Sequence, residues 1–150
     1  LLEVCNMKDY VYLAGPMEDR TREEMCKWRE NCHTALESQG IPVLDPTRRI
    51  SFHNQLKELQ DQIRGMNVCR RIFKQDLQDI ADSRVILADV RRDSGRGTGT
   101  SMELMFAHMK NKIIILWASE NDFPHPFIEA IATEKHYNLD EAVKAIKSYY

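Results

Sequence analysis

The chain has 150 residues, 43% hydrophobic and 29% charged, with 21 basic and 23 acidic residues giving a net charge of −2. That is enough to bury one self-sufficient core, and it predicts a single domain spanning residues 1–150. The charge balance argues against gripping a nucleic-acid backbone along a surface, although a local pocket for one phosphate stays open. The longest apolar runs, around Val85–Val90 and Ile113–Trp117, fall far short of a membrane span, and Leu1–Asp9 has no apolar run long enough for a cleavable signal. Cys5, Cys26, Cys32 and Cys69 are scattered, with no paired spacing, and His33 beside Cys32 has no second pair to complete a metal site. Reduced thiols in a cytoplasmic protein without a metal are therefore expected.

Tyr10–Ala14 is rich in β-branched and aromatic residues and stops at the chain-breaking pair Gly15-Pro16, which predicts a first strand. From Thr21 to Ser38 the apolar residues Met25, Trp28, Cys32, Ala35 and Leu36 recur at helical spacing, and Gly40 provides a stop. Ile41–Leu44 reads as a second short strand ended by Asp45-Pro46. Ser51–Met66 is compatible with a polar helix, and Val68–Ala81 is a firmer one carrying Ile72, Phe73, Leu77 and Ile80. Val85–Val90 and Lys112–Trp117 are nearly all apolar, as strands covered on both sides are. Between them lie a glycine-rich loop and a helix from about Ser101 to Lys110. Ile131–His136 suggests a fifth strand, and Leu139–Ser148 a closing amphipathic helix. Strands alternating with helices predict an α/β, flavodoxin-like three-layer sandwich around a parallel, roughly five-stranded sheet.

Ligands of such sheets bind beyond the carboxyl ends of the strands, where strand order reverses. The segments at those ends are Gly15-Pro16-Met17, Asp45-Pro46-Thr47-Arg48-Arg49, Asp89 to Thr100, and Trp117 to Asp122. Gly95, Gly97 and Gly99 allow close backbone approach, and the helix start behind them offers unpaired N–H groups. This loop lacks the dinucleotide fingerprint and follows a later strand; no Walker-type lysine is present either.

Glu103 carries two alternatives. Thr100-Ser101-Met102-Glu103 reads as a capping box that folds the carboxylate back onto the helix start. Held near that start, the carboxylate is also expected to stay ionised and could attack an electrophilic carbon. Asp76 is by default an exposed helix carboxylate, and Tyr12 a core tyrosine whose hydroxyl finds a partner. Asp89 and Asp93 could orient a sugar hydroxyl or protonate a leaving base, or simply form turns. Arg48-Arg49 is a solvated pair or a phosphate clamp. Trp28 and Trp117 read as core residues before base-stacking platforms.

Together these segments resemble the nucleoside 2-deoxyribosyltransferase family. Tyr12 to Met17, Trp28-Arg29, Asp45 to Arg49, Phe73–Asp82 and Gly99 to Glu103 followed by Ala107-His108 carry the resemblance, in family order over nearly the whole chain. The resemblance implies a retaining double displacement on the N-glycosidic bond of a 2′-deoxynucleoside. Glu103 matches the nucleophile, Tyr12 the tyrosine that positions it, and Asp76 the carboxylate that assists the leaving base. Gly15, Pro16, Met17, Asp45, Arg48, Asp89, Asp93, Gly97, Gly99, Thr100, Ser101 and Met102 are the residues expected to line the substrate. No cofactor is expected; the partners are a nucleoside or nucleotide and a free nucleobase, with neither nucleic acid nor membrane. The family's habit implies a homodimer or higher homo-oligomer, with the last helix and Phe127–Tyr137 as candidate contacts.

The loop departs from the family pattern. Arg91, Arg92 and Arg96 make it long and basic, which leaves the further acid unassigned between Asp89 and Asp93. An arginine-bearing glycine loop also suits hydrolases of nucleoside 5′-monophosphates. A non-catalytic nucleotide-binding module on the same fold is the third possibility.

Overall fold

A computed structural model describes residues 9–17, 20–49, 66–91 and 97–150. The expected helix over Ser51–Met66 lies outside the described residues apart from Met66, as do Asp93, Arg92 and Arg96. The elements run β1 (Tyr10–Ala14), α1 (Arg22–Glu37), β2 (Val43–Leu44), a 3₁₀ turn (Pro46–Arg49), α2 (Met66–Ala81), β3 (Ser83–Asp89), α3 (Thr98–Met109), β4 (Ile113–Trp117), α4 (Pro126–Ile131), β5 (Glu134–His136) and α5 (Leu139–Lys147).

The sheet is five-stranded, in the order β2-β1-β3-β4-β5, and every neighbouring pair is parallel. This is the expected α/β, flavodoxin-like arrangement. Because side chains alternate along a strand, each central strand feeds two cores. Val11, Leu13, Val85, Leu87, Ile115 and Trp117 pack with Trp28, Cys32 and Leu36 of α1 and with Ala142, Val143 and Ile146 of α5. Tyr12, Ala14, Ile86, Ala88, Ile114 and Leu116 face the other way, onto Ile80 of α2, Leu104 and Ala107 of α3 and Ile128 of α4. Trp28 and Trp117 meet at 5.8 Å between ring centroids within the first core, which is where the sequence places them by default. Among the described residues no helix is long and apolar enough to cross a membrane.

The second strand is shorter than expected, Val43–Leu44 within Ile41–Leu44, β4 starts at Ile113 instead of Lys112, and three further boundaries differ. The expected fifth strand over Ile131–His136 is shorter, since Pro126–Ile131 forms a helix and the strand begins at Glu134. Pro126 occupies the first helical turn and His125 accepts from the Phe127 N–H, so a cap and a proline start a helix that periodicity alone misses. β3 begins at Ser83 and ends at Asp89, leaving Val90 beyond it. The third difference bears on chemistry: α3 starts at Thr98, not Ser101, with Gly97 as its cap.

Candidate active site

Strand order reverses between β1 and β3, so the crevice opens where the chain leaves these two strands. Pro16 follows β1 and Asp89 ends β3, and both line the clefts at this edge. One cleft is completed by Val90, Gly97, Thr100, Ser101, Leu104 and Ile128; the other by Arg20, Glu24 and Arg91.

The early start of α3 decides the place of Glu103. The Ser101 N–H bonds the Gly97 carbonyl at 2.8 Å, so Thr100 is already inside the helix and no side chain caps it. The expected capping box at Thr100–Glu103 therefore does not form. The same four-residue pattern does form one at Thr21–Glu24, where the Glu24 N–H donates to Thr21 Oγ1 at 3.1 Å and the Thr21 N–H to Glu24 Oε2 at 2.9 Å. Released from capping, Glu103 points to the sheet and accepts a hydrogen bond from the Tyr12 hydroxyl at 3.2 Å. Tyr12 is fully buried, delivered to this face by the alternation of β1.

The electrostatics also depart from expectation. Glu103 is not held ionised by the helix start: its pKa is pushed up to about 7. Removal from water is the main cause, reinforced by the charge of Asp76 on α2, and only partly opposed by the Tyr12 hydrogen bond and the charge of Arg29. Burial and the nearby Glu103 and Asp76 charges push the Tyr12 phenol well above its ordinary value, so it is a donor and not a base. Asp76 is partly buried instead of exposed, and its charge reaches both members of the pair. The three residues singled out as catalytic in the sequence are thus brought together from β1, α2 and α3.

The remaining candidates divide. Gly15, Pro16, Asp89, Gly97, Thr100 and Ser101 lie at this edge; Met17 is half-buried just after Pro16, while Gly99 and Met102 are exposed on the first turns of α3. Asp45 is buried and internally engaged, accepting from the Thr47 N–H at 2.8 Å and the Thr47 hydroxyl at 2.6 Å. Arg48 is exposed, with its Nε 4.0 Å from Asp45 Oδ2. Asp89 is held by Arg91, whose Nε and Nη2 donate to the two carboxylate oxygens at 3.0 and 3.1 Å while the guanidinium lies 3.5 Å from the centre of the Trp117 ring.

Arg29, Arg20 and Ile128 were not anticipated as parts of this edge. For Arg29 the signal was present: it sits on the apolar stripe of α1 with Met25, Trp28, Cys32 and Leu36, where a charge needs a buried partner. Among the described residues no group of His, Cys, Asp and Glu is arranged to hold a metal ion.

Buried Tyr12 and half-buried Glu103 thus form a pair beside a second carboxylate at the switch point of a parallel sheet, the place where such folds bind their small-molecule ligands. The sequence profile of the nucleoside 2-deoxyribosyltransferase family matches residues 11–140, and the chain belongs to that family of enzymes acting on N-glycosidic bonds. Its fold is similar to that of a 2-deoxyribosyltransferase from the psychrotolerant bacterium Bacillus psychrosaccharolyticus, with a TM-score of 0.67 and 17% identity over 89% of this chain and 90% of that one. It is also similar to the Clostridium botulinum CMP N-glycosidase BcmB, with a TM-score of 0.57 and 16% identity over 93% of this chain and 99% of the other. No curated protein matches it by sequence.

Proposed function

We propose that this enzyme cleaves the N-glycosidic bond of a 2′-deoxynucleoside by a retaining double displacement through Glu103. The observation that carries this is the 3.2 Å hydrogen bond from Tyr12 to Glu103, with the charge of Asp76 acting on both. In the first step a Glu103 oxygen forms a bond to C1′ as the C1′–N bond breaks, and Asp76 relays a proton from water to the departing base. In the second step a free base, or water, attacks C1′ as the Glu103–C1′ bond breaks, and Asp76 relays the proton lost by the attacking group back to water. The charge-deficient sugar of the transition state is stabilised by the adjacent carboxylate, as in retaining glycosidases. A pKa of about 7 leaves about half of Glu103 ionised at neutral pH, enough for nucleophilic attack.

Residues after β1 and β3 and at the start of α3, from Gly15 to Met17, Asp89 and Gly97 to Met102, are assigned to the substrate. Arg20 and Arg91, which line a cleft with Pro16, Glu24 and Asp89, support a second candidate, a nucleoside 5′-monophosphate. Exposed Phe127 and Tyr137 support a homo-oligomeric contact over Phe127–Tyr137.

The test is chromatography of reactions containing deoxynucleosides or their 5′-monophosphates, with and without a second free base, beside the Glu103→Gln variant. A new nucleoside made only by wild type supports transfer through Glu103. Free base and sugar phosphate, made from monophosphates alone, support the N-glycosidase. Turnover undiminished in the variant removes Glu103 from the chemistry.

A further inference from the structure

Behind the site, on the α1 face of β1, lies a cation that the proposed chemistry does not use. Arg29 has no exposed surface. Its Nη2 donates to the Gly15 carbonyl at 3.0 Å, its Nε to the Leu13 carbonyl at 3.4 Å, and its Nη1 to the Met25 carbonyl of its own helix at 2.7 Å. The guanidinium lies 4.6 Å from the Trp28 ring centre, and Nε is 3.8 Å from Asp45 Oδ1.

Burying a guanidinium is costly unless its donors and its charge are met. Here the donors are met by backbone at the end of β1, where the chain turns into the loop that lines the crevice. The charge is faced by Asp45 after β2, Asp89 at the end of β3, and the Tyr12–Glu103 pair across the strand. Gly15 leaves no slack in this arrangement: a Cβ there would stand 3.2 Å from Arg29 Nη2, 3.0 Å from Trp28 Cζ2 and 3.3 Å from Asp89 Cβ.

We infer that Arg29 is a positioning residue for the reaction, fixing the Leu13 and Gly15 carbonyls so that the Gly15–Met17 loop and Tyr12 keep their places, and supplying the buried positive charge that faces the site's carboxylates. This rests on Glu103 being the nucleophile. The groups facing Glu103 are Tyr12 on β1, Asp76 on α2 and Arg29 on α1, and Arg29 is the cation among them. Its field favours ionised Glu103 against the combined effect of burial and Asp76. An arginine is suited to this place because it stays charged when buried and its planar fork reaches several carbonyls at once. Lysine would supply the charge without the fork.

Arg29→Lys and Arg29→Gln separate the two contributions. The titration of Glu103 is followed in glutamate-labelled protein by its carboxyl 13C shift, identified by its loss in Glu103→Gln, so the readout does not depend on turnover. In Arg29→Gln the Glu103 midpoint should rise by at least about half a pH unit, a threefold change in proton concentration. The acid limb of kcat/KM should move with it. In Arg29→Lys the midpoint should stay near that of wild type while kcat/KM falls about tenfold through the misplaced loop. An unmoved midpoint in folded Arg29→Gln overturns the electrostatic role. Wild-type kcat/KM in Arg29→Lys overturns the positioning role, and decides the matter alone if the glutamine variant does not fold. A midpoint that moves while Glu103→Gln remains fully active upholds the field of Arg29 and removes the nucleophile instead.

Discussion

The hydroxyl of Tyr12 and the carboxylate of Glu103 meet at 3.2 Å although 91 residues separate them in sequence. The bond joins β1 to α3 across the second core, and it opposes the burial that drives Glu103 towards its protonated form. Tyr12→Phe keeps the ring and removes this donor. The Glu103 pKa should rise above 7, carrying the acid limb of kcat/KM to higher pH. Thermal melting should show a loss of about 1 kcal/mol, a typical net value for one hydrogen bond. An acid limb that stays in place would show that the tyrosine does not govern the carboxylate.

Glu103 also links stability to pH. Its folded-state pKa of about 7 lies above the ordinary 4.5, so the folded chain holds this proton more tightly than the unfolded one. The resulting stabilisation is complete below about pH 4.5 and is lost as pH rises through 7. Glu103→Gln escapes that loss. Urea unfolding should find the variant more stable than wild type at pH 8, by on the order of 2 kcal/mol, with the advantage gone at pH 4.5.

Asp76 should reveal two effects of opposite sign. Asp76→Asn removes a like charge from Glu103, so the acid limb of the pH profile should move to lower pH. At pH 8 turnover of natural deoxynucleosides should nonetheless fall 10²–10⁴-fold, on the order expected for losing a general acid. A deoxyriboside with a leaving group that needs no proton should lose far less. Equal losses on both substrates would place Asp76 outside proton transfer.

Arg91 clamps Asp89 with two donors while its guanidinium sits over the Trp117 ring. Arg91→Lys keeps the charge and loses both the fork and the stacking, so it should resemble Arg91→Ala. Each should raise KM several-fold with a smaller change in kcat. A lysine variant with wild-type KM would reduce the role of Arg91 to its charge.

Much of this architecture is legible in the sequence because its strands are short apolar runs and its helices carry regular stripes. The runs around Val85–Val90 and Lys112–Trp117 became β3 and β4, and the stripe from Met25 to Leu36 became α1. Tyr12, Asp76 and Glu103 could be picked out through a family resemblance, whereas their local patterns alone favoured other roles. The pattern at Thr100–Glu103 misleads because a capping box depends on where the helix begins, and Gly97 moved that start upstream. The raised pKa of Glu103 is not legible in the sequence for a related reason: its neighbours are set by tertiary packing, with Asp76 arriving from another helix and Tyr12 from the first strand. α4 was missed because six residues span too few turns to display a period.

The parallel order of the sheet also bears on how this molecule is made. β1 can pair early with β2 on one edge, but its other edge stays open until β3, on the far side of α1, β2 and α2, has emerged and folded. Such distant pairing is entropically costly to initiate and slows folding. The Tyr12–Glu103 pair closes only after β1 has docked and α3 has packed over it. Recovery of turnover after dilution from denaturant should therefore lag behind recovery of helical signal, making activity a clock for the last stage of assembly.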